Sequence, residues 1–426
     1  MKWTLGIVAW ACLLAAAPAT AAVGLVAQKG KPLRRIELAG PPGLLTSTST
    51  RIPGLISADD LGHRKRLGTR TVRDPEARVS RLERHLEQLH SSRRWAYYLL
   101  AALTAAGVLG ALLLRTTLAA RLCVAIAPVM VAVSLLLSLA GAARPAVLLP
   151  VLVVGSVLIA LAVAAPPRRV VVYLGPVILL LFLVVLWAWP ETAGFAAIGP
   201  RPEEGGRFFG INNVVETVLL TITLYSAAEL GLARLVPVAA LAFVAIGWSH
   251  AGADGGGLIV FAAGFALLVL RLTGRLTMRR LVAAVAAGAG AVLAFIGIDE
   301  ATGGKSHVTR AFEKGPGAWF GDIGHRLHLS ADRLTVWHLA LIVGVSLVVL
   351  VWLALQRPRS PALDALLVGL AVSFVVNDAP SDVAAAGALS GLVLWSWAQT
   401  ARYTRGRAPA RADPGGIRRA GGRLWK

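Results

Sequence analysis

The sequence predicts an all-α fold, a polytopic transmembrane helix bundle of about 10–11 spans behind an N-terminal export signal. Three observations carry that expectation. Of the 426 residues, 56% are hydrophobic, and the mean hydropathy is +0.69, far above a soluble domain's usual content. The apolar residues come in unbroken blocks long enough to cross about 30 Å of hydrocarbon, not at amphipathic spacing. No block alternates with a period of two, so the backbone polar groups must be satisfied inside helices rather than between barrel strands.

From the N-terminus, residues 1–22, MKWTLGIVAWACLLAAAPATAA, carry one lysine, an apolar core and an Ala19-Thr20-Ala21 ending, the pattern of a secretory signal peptide. An uncleaved signal anchor broken near Pro18 is the alternative, and either one exports the segment after it. Ala9, Trp10 and Ala11 ahead of Cys12 make a poor lipobox, so no lipid anchor is expected. Residues 23–94 read as an exported, turn-rich polar segment ending in a heptad-like run of Val79, Leu82, Leu86 and Leu89. That run predicts a short amphipathic helix, lying on the membrane or meeting a protein partner through residues 74–94.

Trp95, Tyr97 and Tyr98 then supply an interfacial aromatic belt before the membrane module, residues 95–400. Spans are expected near 96–114, 119–141, 145–165, 169–189, 211–231, 234–250, 256–273, 281–298, 334–355, 361–377 and 383–400. Residues 401–426 form a basic tail. With residues 23–94 outside, the inner loops and tail hold 19 Lys and Arg against 8 in the outer loops after the first span. That asymmetry predicts a cytoplasmic tail in a bacterial inner membrane. Residues 23–94 carry 15 basic residues of their own, which a long exported segment tolerates.

The net charge of +21 would suggest nucleic acid in a soluble chain. Here the basic residues sit in loops and tails, where orientation and anionic lipid account for them, so membrane lipids and not nucleic acid are the expected partners. Cys12 and Cys123, both in apolar segments, give no disulfide framework and no thiolate metal site. No cofactor motif is legible.

The remaining polar residues gather on the side assigned to the outside. Arg207, Asn212, Asn213 and Glu216 open the fifth span in EEGGRFFGINNVVETVLLTITLY. His250 and Asp254 sit in WSHAGADGGG; Asp299, Glu300, Ser306, His307 and Arg310 in GIDEATGGKSHVTR; Asn377, Asp378 and Asp382 in VVNDAPSD. Asn212 and Asn213 lie four and three residues before Glu216, on one helix face. A carboxylate one turn inside a membrane helix is costly unless paired or wetted, which marks Glu216 as a functional candidate with Arg207 or Arg310 as partner.

His250 and Asp254 suit a base with its orienting carboxylate, or two metal ligands, and the Gly255-Gly256-Gly257 run suits an anion nest. Each group also has a structural alternative: an interfacial ion pair, a solvated histidine, a tight turn, a helix stop with an N-cap. Ser306 beside His307 does not itself make a nucleophile and base. His325 and His328, in the long loop with Trp319 and Phe320, lack a third partner, so no metal site is expected.

The stretch GLLTSTSTRIPGL (residues 43–55), with RFFGINN, GADGGG, SHVTR and VVND further along the chain, resembles actinobacterial-type membrane proteins. In these, an exported domain similar to the alkaline-phosphatase/phosphodiesterase superfamily precedes a multi-helix module. The resemblance spans most of residues 40–400. An enzyme of that superfamily needs several hundred residues with a Ser or Thr nucleophile and Asp/His metal ligands, whereas about 70 residues precede the first span here. Phosphatase activity is therefore not implied.

The expected function is binding or processing of an anionic or lipid-linked envelope substrate at the outer face. Arg207 and Arg310 would hold the anion, Asn212, Asn213, Ser306, His307 and Asn377 would contact and orient the substrate, and His250 with Glu216, Asp254 or Asp378 would handle protons. A transporter or flippase, and a non-catalytic scaffold, are the alternatives.

Overall fold

The computed structural model describes residues 21–166, 169–274, 277–302, 335–377 and 379–406. Each of the eleven expected spans coincides with a helix among these residues: α1 (Pro75–Leu114), α2 (Thr117–Leu139), α3 (Pro145–Ala164), α4 (Leu174–Ala188), α5 (Asn213–Leu230), α6 (Leu232–Gly247), α7 (Gly255–Leu272), α8 (Met278–Ala301), α9 (Trp337–Leu355), α10 (Pro361–Val376) and α11 (Pro380–Gly406). Six of them, α1, α2, α3, α7, α8 and α9, are long and apolar enough to cross a membrane, and α4, α6 and α10 are shorter apolar helices. The protein is an integral, multi-pass, all-α membrane bundle.

Its layering follows from which faces are buried. The apolar window of α2 is 72% buried, whereas that of α8 is 6% and that of α9 17%, so α2 is interior and α8 and α9 form a rim whose exposed Leu and Val side chains suit lipid. α5 lies deepest: among residues 213–227, all but Val214 are buried.

At one end of the bundle stands a small sheet that the fold class does not contain. Strands β1 (Ala21–Gln28), β2 (Lys31–Ala39), β3 (Gly43–Ser47), β4 (Leu55–Ser57) and β5 (Leu67–Arg70) pair in the order β2-β1-β3-β5, with β4 also on β1. β1 is central, antiparallel to β2 and parallel to β3 and β4. Ala21 and Ala22, assigned to the end of the leader, begin this strand; residues 1–20 lie outside the described residues. Val23, Leu25, Leu44, Ile52 and Leu55 of this unit share one core with Val79 and Leu86 of α1 and with Phe208.

The expected amphipathic helix and the first span are one 40-residue helix, α1. Pro75 sits at its first turn, Asp74 caps it by accepting from Ala77 N, and no Gly or Pro interrupts the chain from Glu76 to Ala106. Its first half packs under the sheet and its second half enters the bundle. The sheet therefore rides on a continuous rod rather than on a linker.

Candidate functional site

The polar residues singled out in the sequence meet at the sheet end of the bundle, where the loop before α5, the α6–α7 turn and the end of α10 converge. Two glycines make the approach possible. Gly210, at φ +80°, brings Ile211 N within 2.9 Å of the Gly252 carbonyl, and a methyl group at Gly210 would collide with that same oxygen. A methyl group at Gly257 would stand 3.2 Å from Asp254 Cγ and 3.3 Å from Glu216 Cδ, so the glycine run lets two carboxylates close on one helix start. Tight backbone approach, and not turn geometry alone, accounts for GADGGG.

Asp254 is the N-cap of α7: its Oδ1 accepts from Gly257 N at 3.0 Å. Its Oδ2 receives Arg207 Nη1 at 2.9 Å, and the same guanidinium nitrogen donates to the Ile211 carbonyl. The Asp254 side chain is 2% exposed and that of Arg207 31%, so the pair presents its cation to the outside and keeps its anion inside. Behind it, Glu216, 1% exposed, accepts from Asn377 Nδ2 at 2.8 Å. Asn377 is the C-cap of α10, and its amide also reaches Ser373 Oγ at 2.7 Å. Arg207, Asp254, Glu216 and Asn377 thus form one constellation built from three separate stretches of chain.

Other expected residues go elsewhere. Asn212 caps α5 by accepting from Val215 N, and its amide donates to Tyr97 Oη at 2.8 Å. Asn213 is buried, and its backbone carbonyl accepts from Thr217 Oγ1. His250 is exposed and bonds Ser249 Oγ at 3.3 Å, its ring 5.4 Å from that of Trp248. These contacts do not include Asp254, which is paired with Arg207. Ser306, His307, Arg310 and Asp378 lie outside the described residues, as do Trp319, Phe320, His325 and His328. Asp382 lies in the first turn of α11.

Residues to which the sequence assigns no role hold the neighbourhood together. Asp299, near the end of α8, accepts from both the backbone and the hydroxyl of Ser249, at 3.1 and 2.9 Å, which ties α8 to the α6–α7 turn. Arg51, in the left-handed region at φ 56°, lays its guanidinium 3.9 Å over the ring of Phe209. Burial pulls its pKa below the ordinary value, partly offset by the charge of Asp299. Through this contact the sheet unit touches the RFFG segment directly.

Arg93, fully buried, donates to the carbonyls of Pro200 and Gly194 and sets Nε 3.4 Å from Glu203 Oε1. A charged residue one turn ahead of an apolar block was a legible signal; that its partner stands 110 residues on was not.

The chain matches no protein-family model, no curated protein and no solved structure.

Proposed function

We propose that this membrane protein binds, and acts upon, an anionic or lipid-linked substrate of the bacterial cell envelope at the extracytoplasmic end of its helix bundle. The observation that supports this reading is the Arg207–Asp254 pair over the glycine-rich start of α7, with Glu216 and Asn377 behind it. Arg207 is the partly exposed cation that an incoming phosphate or carboxylate meets first, and the α7 N-terminus adds a favourable field. A substrate that draws Arg207 toward itself loosens Asp254, which then stands beside Glu216 as a second carboxylate able to accept a proton. Asp378, Ser306, His307 and Arg310 belong to the same proposed site by sequence position.

The orientation is part of the proposal. Described arginines at the opposite end, among them Arg115, Arg121, Arg234, Arg271, Arg359 and Arg402, favour a cytoplasmic location there and an extracytoplasmic sheet. Single cysteines at position 212 and at the exposed position 250, in a chain lacking Cys12 and Cys123, should react with a membrane-impermeant reagent on intact cells once the tail is shown to be protected. Labelling of the tail alone would invert the topology.

The substrate reading is tested by native mass spectrometry of protein extracted with its membrane lipids. The wild type should retain a defined anionic lipid-linked species that Arg207→Ala loses while still inserting normally. Equal retention by Arg207→Ala and Asp254→Asn would sink the proposal.

A transporter is the second reading, and one observation favours it: buried polar residues continue along α5 from Glu216 through Thr217, Thr221, Thr223, Tyr225 and Ser226. Near the opposite end, Glu229 accepts from Trp397 Nε1 at 3.3 Å. In reconstituted vesicles this reading demands movement of a labelled anionic lipid between leaflets, and no movement above that of empty vesicles would remove it.

A further inference from the structure

We propose a divalent transition-metal site at His90, Glu203 and Glu204, where the extramembrane half of α1 meets the turn Pro202–Glu204 ahead of α5. One ligand atom from each of the three residues lies within 4.8 Å of the others. His90 Nδ1 is 3.6 Å from Glu203 Oε1 and 4.0 Å from Glu204 Oε1. Two atoms bound to one ion at about 2.1 Å each stand no more than about 4.2 Å apart, so both separations already fit a shared ion.

A second and independent observation comes from Glu203 itself. Its side chain is 6% exposed, yet among the described residues neither carboxylate oxygen accepts a hydrogen bond. A buried carboxylate with an ion-pair contact but no hydrogen bond keeps unused acceptor positions on both oxygens. Arg93 Nε approaches Oε1 at 3.4 Å without hydrogen-bond geometry, because the two terminal nitrogens of that guanidinium are held by the Pro200 and Gly194 carbonyls. Arg93 therefore fixes the carboxylate from one side, while His90 meets it from the other.

The exposure gradient supplies an entrance. His90 is 62% and Glu204 44% exposed at the side chain, so an ion can arrive from water, exchange its shell for one imidazole and two carboxylates, and keep open positions for water. Glu204 is currently held by Arg201 Nη1 at 3.1 Å through Oε1. The imidazole disfavours calcium and magnesium, and the mixed nitrogen and oxygen donors suit zinc or manganese. Bound there, the ion would tie α1 to the turn that leads into the substrate site, and this inference does not depend on the identity of any substrate.

The test uses the full chain, with its purification tag removed, stripped by chelator and held in nanodiscs. Zinc is titrated in competition with a chromogenic chelator. One zinc per chain is expected, with affinity at least tenfold weaker in His90→Ala and in Glu204→Gln, and unchanged in His63→Ala. Both test positions are solvent-exposed, and the unfolding temperature of the metal-free variants should match the wild type. No zinc competing with the chelator, or equal binding by wild type and both variants, overturns the site.

Discussion

Helices α7 and α10 run antiparallel, and their two ends use similar residues to opposite effect. Away from the sheet, Asp364 in the first turn of α10 offers Oδ2 to Arg271 Nε at 2.7 Å and Oδ1 to Arg359 Nε. Arg271 lies in the last turn of α7, so each charge also sits at the helix terminus that favours it. One carboxylate there stands between two guanidinium groups. At the sheet end, the carboxylates of Asp254 and Glu216 flank Gly257, and their contacts include a partly exposed arginine and a neutral amide. The first arrangement is a rivet and the second leaves its arginine partly exposed, although both bury an aspartate at the boundary of the same helix pair.

The largest effect should come from breaking the rivet. Asp364→Ala leaves two arginines facing each other without their anion, a loss of about 3–5 kcal/mol by comparison with other broken buried pairs. It should appear as a fall in unfolding temperature of the detergent-solubilised protein, while whatever remains folded retains lipid as the wild type does. A change below about 1 kcal/mol would show that the far-end pair holds nothing together.

Gly210→Ala should come close behind. A left-handed backbone costs a non-glycine residue about 1–2 kcal/mol, and the collision with the Gly252 carbonyl adds to it. The RFFG segment would lift from the α6–α7 turn, so lower thermal stability should be accompanied by loss of the retained lipid. Unaltered stability would mean that the close approach does not organise the sheet end.

Arg207→Ala is expected to sharpen the contrast by reversing the balance. Truncating the partly exposed Arg207 opens Asp254 to water, and Asp254 keeps its hydrogen bond from Gly257 N, so stability should fall by about 1–3 kcal/mol, whereas lipid retention should fall at least tenfold. Arg207→Lys restores the charge but not the planar fork, and partial recovery of retention is expected. If the stability loss in Arg207→Ala matched that of Asp364→Ala, the two ends would be equivalent and the functional assignment would lose its basis.

The sequence made the helices legible because lipid imposes one solution on a long apolar block, and the described helices sit where those blocks lie. The convergence of Arg207, Asp254, Glu216 and Asn377 at one end was legible too, since alternating loops must share a side of the membrane. Two of the contacts were not. Glu216 meets Asn377, 161 residues away, and Arg207 meets Asp254, because ridge-and-groove packing of α5, α7 and α10 decides which loop stands next to which. The sheet was hidden for a different reason. Its central strand, AAVGLVAQ, begins in what reads as the tail of an export signal, and without β1 the short runs of β2, β3 and β4 lose the strand they share, leaving only β3 on β5.

The smallest expected effects decide whether the polar run of α5 is a path. Thr217 Oγ1 donates to the Asn213 carbonyl at 2.8 Å and Thr221 Oγ1 to the Thr217 carbonyl at 2.7 Å, so both hydroxyls are closed on their own helix. Side-chain hydrogen bonds within membrane proteins contribute about 0.6 kcal/mol on average, and Thr217→Val should shift stability by no more than that. Thr223 differs: its hydroxyl is fully buried and makes no hydrogen bond among the described residues. In a substrate-binding protein that ends at Glu216, Thr223→Val replaces a polar group by an isostere and should be neutral or slightly stabilising, with lipid retention intact. In a transporter it lies on the route, and the same substitution should slow leaflet exchange in vesicles while leaving retention untouched. Measuring exchange and retention together on this one variant therefore separates a site that stops at the mouth from one that continues inward.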